Sequence, residues 1–473
     1  MRMTLASAAG VLSPLLLAAL LPAQQPVKSS GRGALQLTTR SAAAQAAFYA
    51  GVDAAENVQL PAAAAHLKRA LKLDPKLAVA RAYYGAYAPG LNATQRSEEL
   101  ERAAADAMNA SLGELMLALA LRAPAGAERR ALLKAAVEAV PDDPHVLYLH
   151  ASNHADPRDR IRGFEELNRR FPDFAPAYNL LAHAKAREMG DVDAGLIIVR
   201  RYVQLASRNP NAHNSYAELL TWAGRFDDAA GQYRQTLALD PAYAAAHTGL
   251  AEVAQLKANG ADARIHYQQA MHGAATAQAR LNLRQAAAIT FITDGNHQAA
   301  VTALRTIAAE AEAAGYPAVA AQAHRNLALI EAALGNKSLV HAHLRKAGGL
   351  SNGNPSAHQL FAAAAYAIAG DIAGARPRLK AFTDGAAASP SPSARRQAEG
   401  LAAIVEAAAG NADAAQSALK GAGVHGAFGT LLVAETLKKE GKTEAARALA
   451  AAVAANTELD LLSVLARQRA KKI

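Results

Sequence analysis

The sequence contains no cysteine. Disulfides, thiolate nucleophiles and cysteine-held zinc or iron–sulfur centres are therefore excluded together. The compartment is not, because a cysteine-free chain suits an oxidising or a reducing environment. Aromatic residues make up only 5% of the chain, with a single tryptophan, Trp222. Runs of β-branched and aromatic residues alternating with polar ones are missing, so strands are not expected. No strong charge asymmetry is present either. The formal net charge is +10, from 50 Lys and Arg against 40 Asp and Glu. The basic residues are scattered as pairs such as Arg129-Arg130, Arg200-Arg201 and Lys438-Lys439. Only Arg467, Arg469, Lys471 and Lys472 cluster. A nucleic-acid surface concentrates charge on one face, so no nucleic-acid partner is expected.

What the chain does have is alanine, in runs such as Ala62 to Ala65 and Ala362 to Ala365, within a hydrophobic fraction of 52%. Alanine forms helices best and buries little area. Thin helix-to-helix seams suit it better than one thick core. At 473 residues the chain also exceeds the ~250–300 residues at which single cores stop growing. A multidomain chain or a repeat array is required.

The N-terminus carries Arg2 and then no charge until Lys28, with Leu15 to Leu21 as an apolar stretch and Ala23 at a small-residue cleavage point. This is a secretory signal pattern over residues 1–23. The competing reading is an uncleaved membrane anchor formed by residues 3–23. Both place the chain from Gln24 onward outside the cytoplasm, in the periplasm or beyond the cell. No other segment is apolar enough to span a membrane. Residues 24–40, with Pro26, Ser29, Ser30, Gly31 and Gly33, read as a flexible leader.

A period of ~34 residues then dominates. In the copy Pro210 to Pro241, Ala217 is followed by Gly224, Ala229, Tyr233 and Asp240-Pro241. Alanine lets two helices cross closely. Glycine ends the first helix in a left-handed turn. Ala229 and Tyr233, four apart, share one helix face, and proline cannot continue the second helix. The offsets recur at Ala251, Ala263 and Tyr267, with the turn glycine displaced to Gly260. They recur again at Ala328, Gly335, Val340 and Leu344, at Ala363, Gly370 and Ala375, at Ala403, Gly410 and Ala415, and at Ala434, Gly441 and Ala446. Upstream, Gly51, Ala63, Leu67, Ala70 and Asp74-Pro75 fit without a turn glycine.

This pattern resembles the tetratricopeptide repeat (TPR) family, most clearly over 171–454 and 42–75, and in particular exported bacterial proteins built of such repeats. The family's first-helix tryptophan is missing, with Ala47, Arg81, His213, His247 and His324 at that place. The resemblance implies an all-α, right-handed solenoid superhelix of about twelve antiparallel hairpins. The expected organisation is degenerate hairpins over 41–175, a central array over 176–385, a linker at 386–392, further hairpins over 393–455, and a capping helix with a basic tail over 456–473.

Chemistry is scarce. Gly441-Lys442-Thr443 lacks the glycine five residues earlier that a phosphate loop needs. Ser417-Ala418-Leu419-Lys420 lacks the partner motifs of a serine hydrolase. His341 and His343 point apart on a helix, and no HExxH occurs. His150 and His154 could share a face, with no carboxylate at matching spacing beside them except Asp156. Paired acids such as Asp142-Asp143 and Asp227-Asp228 suit helix starts. No catalytic residues, cofactor or metal are expected.

First helices line the concave face in the family that the chain resembles. The resemblance nominates Asn211, Asn214, Glu218, Trp222, Glu252, Gln255, Arg325 and Asn326 as a groove for a protein or peptide, becoming apolar at Leu360, Phe361 and Ile368. The implied function is a non-catalytic interaction scaffold of the cell envelope. The alternatives are a structural accessory subunit of an envelope or polysaccharide-export assembly, or an enzyme with a polar pocket beside His145, His150 and His154.

Overall fold

The computed structural model of the protein describes residues 33–274, 276–350 and 355–473. The expected signal and residues 24–32 of the leader lie outside the described residues, as do residues 351–354. The chain divides into two compact units between Leu181 and Ala182. Every regular element among the described residues is helical, and none of these helices is long and apolar enough to cross a membrane.

In the first unit, α1 (Ala42–Glu56) packs on α2 (Leu60–Leu73), α3 (Ala78–Tyr87) on α4 (Ala93–Ala107), α5 (Leu112–Arg122) on α6 (Ala127–Ala139) and α7 (Pro144–Ser152) on α8 (Pro157–Arg170). Helix α9 (Ala175–His183) crosses the boundary between units and continues as a π-type turn, Ala184–Glu188, against α10 (Val192–Leu205). The second unit adds α11 (Pro210–Trp222) with α12 (Phe226–Leu239), α13 (Ala244–Leu256) with α14 (Gly260–His272) and α15 (Ala277–Thr293) with α16 (His297–Ala313). It goes on with α17 (Pro317–Ala333) and α18 (Lys337–Leu350), α19 (Pro355–Ile368) and α20 (Ile372–Ala387), α21 (Pro392–Ala408) and α22 (Ala412–Ala422), and α23 (Ala427–Lys439) and α24 (Thr443–Ala454). Twelve consecutive hairpins result among the described residues, and α25 (Leu461–Ala470) follows them. Each unit is a tetratricopeptide-like stack of helical hairpins.

The repeat positions do what their residue types allow. Ala217, Ala251, Ala328, Ala363, Ala403 and Ala434, the small residues of the first helices, are all fully buried at 0% exposure. So are their second-helix partners Ala229, Ala263, Val340, Ala375, Ala415 and Ala446. Small side chains, alanine at every position but Val340, stand at these crossings, and the larger residues Tyr233, Tyr267 and Leu344 fill the adjoining space. Helix starts follow from proline at the first turn behind a polar cap. Asp143, Asp156, Asn209 and Ser391 each accept a backbone N–H from the turn that follows Pro144, Pro157, Pro210 and Pro392.

The turn glycines adopt the left-handed backbone, as Gly224 at φ +73° and Gly410 at +83° show. Where glycine is missing, another residue takes the same conformation: Val58 at +60° and Ala258 at +59°. Gly260 is therefore not a displaced turn glycine. It opens α14, and a β-carbon there would lie 2.4 Å from a carboxylate oxygen of Asp294.

Two expected boundaries look different in the structure. Residues 33–40, the described end of the leader, are tied down. The Leu35 N–H donates to Asp143 Oδ2 (3.0 Å), the Thr38 N–H to Glu114 Oε2 (3.0 Å), Ser111 Oγ to the Gln36 carbonyl (3.0 Å) and the Tyr49 hydroxyl to the Leu35 carbonyl (3.1 Å). Leu35 is buried against Gly113 and Val140. Residues 386–392 lie inside the second unit, where α20 reaches Ala387, α21 starts at Pro392, and Ser391 Oγ donates to Glu188 Oε2 (2.8 Å).

A left-handed backbone costs an L-residue roughly 1–2 kcal/mol. Val58→Gly and Ala258→Gly, both at exposed turns, should each stabilise the chain in urea unfolding by about 1 kcal/mol, and Gly224→Ala should destabilise it by a similar amount. Equal urea midpoints in all three variants would show that these turns carry no strain.

Candidate functional site

Five of the eight nominated groove residues are not available to a partner. Asn211 (7% exposed) donates to the Tyr202 hydroxyl at 3.2 Å and accepts from the Tyr243 hydroxyl at 3.0 Å. Asn214 donates to Glu218 Oε1 at 2.8 Å. Arg325 donates to Gln322 and lies over the Phe361 ring, and Asn326 accepts from Gln322 Nε2 at 3.1 Å. Asn214, Gln255, Arg325 and Asn326 are all buried. Part of the first-helix row is covered by the chain's own end. Helix α25 packs on α15 and α17, both first helices, as well as on α23 and α24. Leu461, Val464, Leu465 and Ala466 belong to the same buried cluster as Ile292, Leu327 and Ile330, and Leu360, Phe361 and Ile368 pack against it. The capping helix thus covers the last hairpin and also part of the first-helix row, at α15 and α17.

Trp222 and Glu252 line a cavity of about 670 Å³, and Glu218 lies behind them beside His183. The cavity wall is built by distant segments. The π-type turn Ala184–Glu188 places Arg187 over the Trp222 ring, 4.9 Å from the centroid. The His183 ring meets Trp222 edge-on at 5.6 Å. The stretch after α24 closes the other side: Thr457 Oγ1 donates to the Trp222 carbonyl (3.2 Å), and Arg467 holds the carbonyls of Asn456 (2.9 Å) and Glu458 (2.6 Å). Arg396 on α21 donates to the carbonyls of Arg187 (2.8 Å) and Glu188 (3.1 Å). Glu252, Glu458, Asp460, Lys420 and His425 also line the space.

Burial sets the electrostatics. It pushes the Glu252 carboxyl up to about 7, helped by Glu218 and opposed by Arg187. Glu218 and Glu458 are raised by the same desolvation. Burial, with Arg187 nearby, pushes His183 down to about 4, so the ring is neutral and its 3.7 Å approach to Glu218 is not an ion pair. The site therefore offers a Glu252 carboxyl raised to about 7, further carboxyl groups, two guanidinium groups and an aromatic face.

Arg187, His183, Arg396 and Glu458 were not among the nominated residues. A π-type turn leaves no mark in the residue pattern, and Glu458 is far from Trp222 in sequence. The histidines of the first unit separate. A cavity of about 420 Å³ lies beside His150 and His154 with Asp159, Arg162 and Glu166 on its wall. His145 stands apart, with Nδ1 2.7 Å from Glu56 Oε2. Ser417 lies on α22, and Gly441 is a left-handed turn before α24.

A carboxyl whose folded pKa is raised supports the fold fully below its ordinary value, and that support is lost as pH rises through the raised one. The second unit should therefore lose stability between about pH 4.5 and 7 on account of Glu252. Glu252→Gln should flatten this profile and gain on the order of 2 kcal/mol at pH 8. Urea unfolding across pH 4.5–8 measures it, and parallel profiles for the two chains would refute the assignment.

No protein-family model matches the sequence, and neither does any curated protein sequence. Among solved structures, the chain is similar to TTC0263, a thermophilic TPR protein of Thermus thermophilus, at 21% identity, over 35% of this chain and 90% of that one, with a TM-score of 0.32. It is similar to PilW, a type IV pilus biogenesis factor, at 15% identity, over 46% and 94%, with a TM-score of 0.34. It is also similar to a tetratricopeptide repeat protein of Parabacteroides merdae ATCC 43184, at 12% identity, over 65% and 100%, with a TM-score of 0.34. The chain's own helices, paired in series with buried alanines at each crossing and left-handed turns between partners, are hairpins of the tetratricopeptide-repeat type.

Proposed function

We propose that the chain is a non-catalytic scaffold of the cell envelope, exported through its N-terminal segment, that binds a protein or peptide at the cavity around Trp222. The observation that carries this reading is the cavity itself. It joins the lone tryptophan, flanked by Arg187 and His183, to Glu252 and Glu458 in one partly enclosed space. A rigid aromatic beside buried charge is the composition of an interaction anchor. Of the eight groove candidates, Trp222 and Glu252 keep a direct role, and Glu218 acts behind them through His183 and Glu252. The signal pattern of residues 1–23 supports the envelope location.

A second reading, an accessory subunit that contacts its assembly through outer surfaces, is favoured by one observation. Helix α25 already occupies part of the first-helix face. Photocrosslinking separates the two. A crosslinker is placed at Val424, an exposed residue on the cavity wall, or at Ile265, exposed on the second helix α14. Capture of one envelope protein from position 424, lost with Glu252→Arg in a folded chain, is the expected result. Capture from 265 and not from 424 would overturn cavity binding in favour of the accessory reading. Recovery of the full-length chain in the cytoplasmic fraction, with the signal uncut, would overturn export.

A further inference from the structure

The strongest unassigned cluster lies in the first unit, away from the Trp222 cavity. Asp53 and Glu56 are three residues apart near the end of α1, a spacing that puts both on one helix face. His145 opens α7 from a hairpin far along the chain. Its backbone is fixed, because Asp143 Oδ1 accepts the N–H groups of His145 and Val146 while Asp143 Oδ2 accepts the Leu35 N–H. Its ring is fixed too, edge-on to Phe174 at 5.4 Å and beside Tyr49 at 6.0 Å. The packing thus delivers an imidazole to two carboxylates: Nδ1 is 2.7 Å from Glu56 Oε2, and Nε2 is 3.8 Å from Asp53 Oδ1.

One ligand atom from each of the three residues lies within 4.8 Å of the other two. That is the spread of donors that can contract onto one ion at ~2.0–2.2 Å from each.

The second observation is Glu56 itself. Its side chain is only 4% exposed, yet Oε1 is buried with no hydrogen-bond partner. A half-satisfied buried carboxylate is costly, and a cation on the same group would supply what the second oxygen lacks. Asp53, by contrast, is 65% exposed, so the cluster is open to solvent on one side. Water can complete a coordination shell there, and an ion can enter without unfolding the hairpin.

We propose that Asp53, Glu56 and His145 form a site for a divalent ion of the zinc class. An imidazole with two carboxylates is a borderline donor set. It favours such ions over Mg²⁺, which prefers an octahedral shell of oxygen. The ion joins α1 to α7, hairpins one and four of the unit. No local sequence motif announces it, because Asp53 and Glu56 lie on a different hairpin from His145.

The test is calorimetric titration of the tag-free full chain with ZnCl₂ at pH 8, alongside Asp53→Asn, His145→Ala and His150→Ala. The expected result is one zinc per chain, bound roughly ten-fold or more weakly by Asp53→Asn and His145→Ala and equally well by His150→Ala. Co²⁺ in place of zinc should give visible ligand-field absorption that Asp53→Asn reduces. Because Asp53 is exposed, its variant keeps the fold and decides the matter even if His145→Ala unfolds. Failure to bind zinc, equal binding by Asp53→Asn, or displacement of zinc by equimolar Mg²⁺ would overturn the site.

Discussion

Everything in this molecule rests on how closely two helices can approach where they cross. The crossing residues, alanines except for Val340, have no exposed surface. Closer packing than a β-carbon would need glycine, and looser packing would leave a void. Gly249 shows the limit, since a β-carbon there would fall within 2.1–2.5 Å of the Tyr233 ring. Alanine contributes little hydrophobic free energy per contact. Stability must therefore accumulate along the stack, hairpin by hairpin, as nearest-neighbour seams. The few large buried side chains, such as Tyr83, Tyr202, Tyr233, Phe48 and Phe164, fill the gaps beside these crossings.

Thin seams leave polar residues inside, and their arrangement explains the two functional proposals. In the second unit, the chain end returns to the first helices. Leu461, Val464 and Leu465 give α25 an apolar face that joins the cluster of α15 and α17, and the loop before it reaches Trp222 through Thr457. The return covers part of the first-helix row, at α15 and α17, and its leading loop bounds a partly enclosed cavity where Glu252 and Arg187 share a low-dielectric space. In the first unit, the segment 33–40 is held by Glu114, Ser111, Asp143 and Tyr49, and Asp143 in turn fixes His145. Both ends of the described chain thus fold back on the array, one beside each candidate site.

The fold was legible because its rules are local. Alanine, glycine and proline at fixed offsets each mark a crossing, a left-handed turn or a stop, and Ala217, Gly224 and Ala229 serve in those roles. The degenerate stretch 81–172 folds into hairpins with other residues, the capped prolines Pro144 and Pro157 starting α7 and α8 and capping boxes at Asn92 and Ser111 starting α4 and α5. Val58 and Ala258 show why a missing glycine did not break the period: the turn persists with a less suitable residue. The site was only partly legible. Trp222 and Glu252 were visible as polar or aromatic residues on first helices, but so were Asn211 and Asn326, which bond within the stack. What separates them is the π-type turn at Ala184–Glu188 and the return of residues 455–470, and both depend on contacts between segments far apart in sequence.

The claim that the chain end closes over the Trp222 face can be measured directly, since Trp222 is the only tryptophan. Its emission maximum and its quenching by acrylamide are compared between the full chain and a chain ending at Ala454, with helix content checked by circular dichroism. If Thr457, Glu458 and the rest of the loop before α25 wall the cavity, truncation will shift emission to the red and steepen quenching while the helices before Ala454 remain. Identical emission and quenching in the two chains would contradict the closure and the cavity built on it.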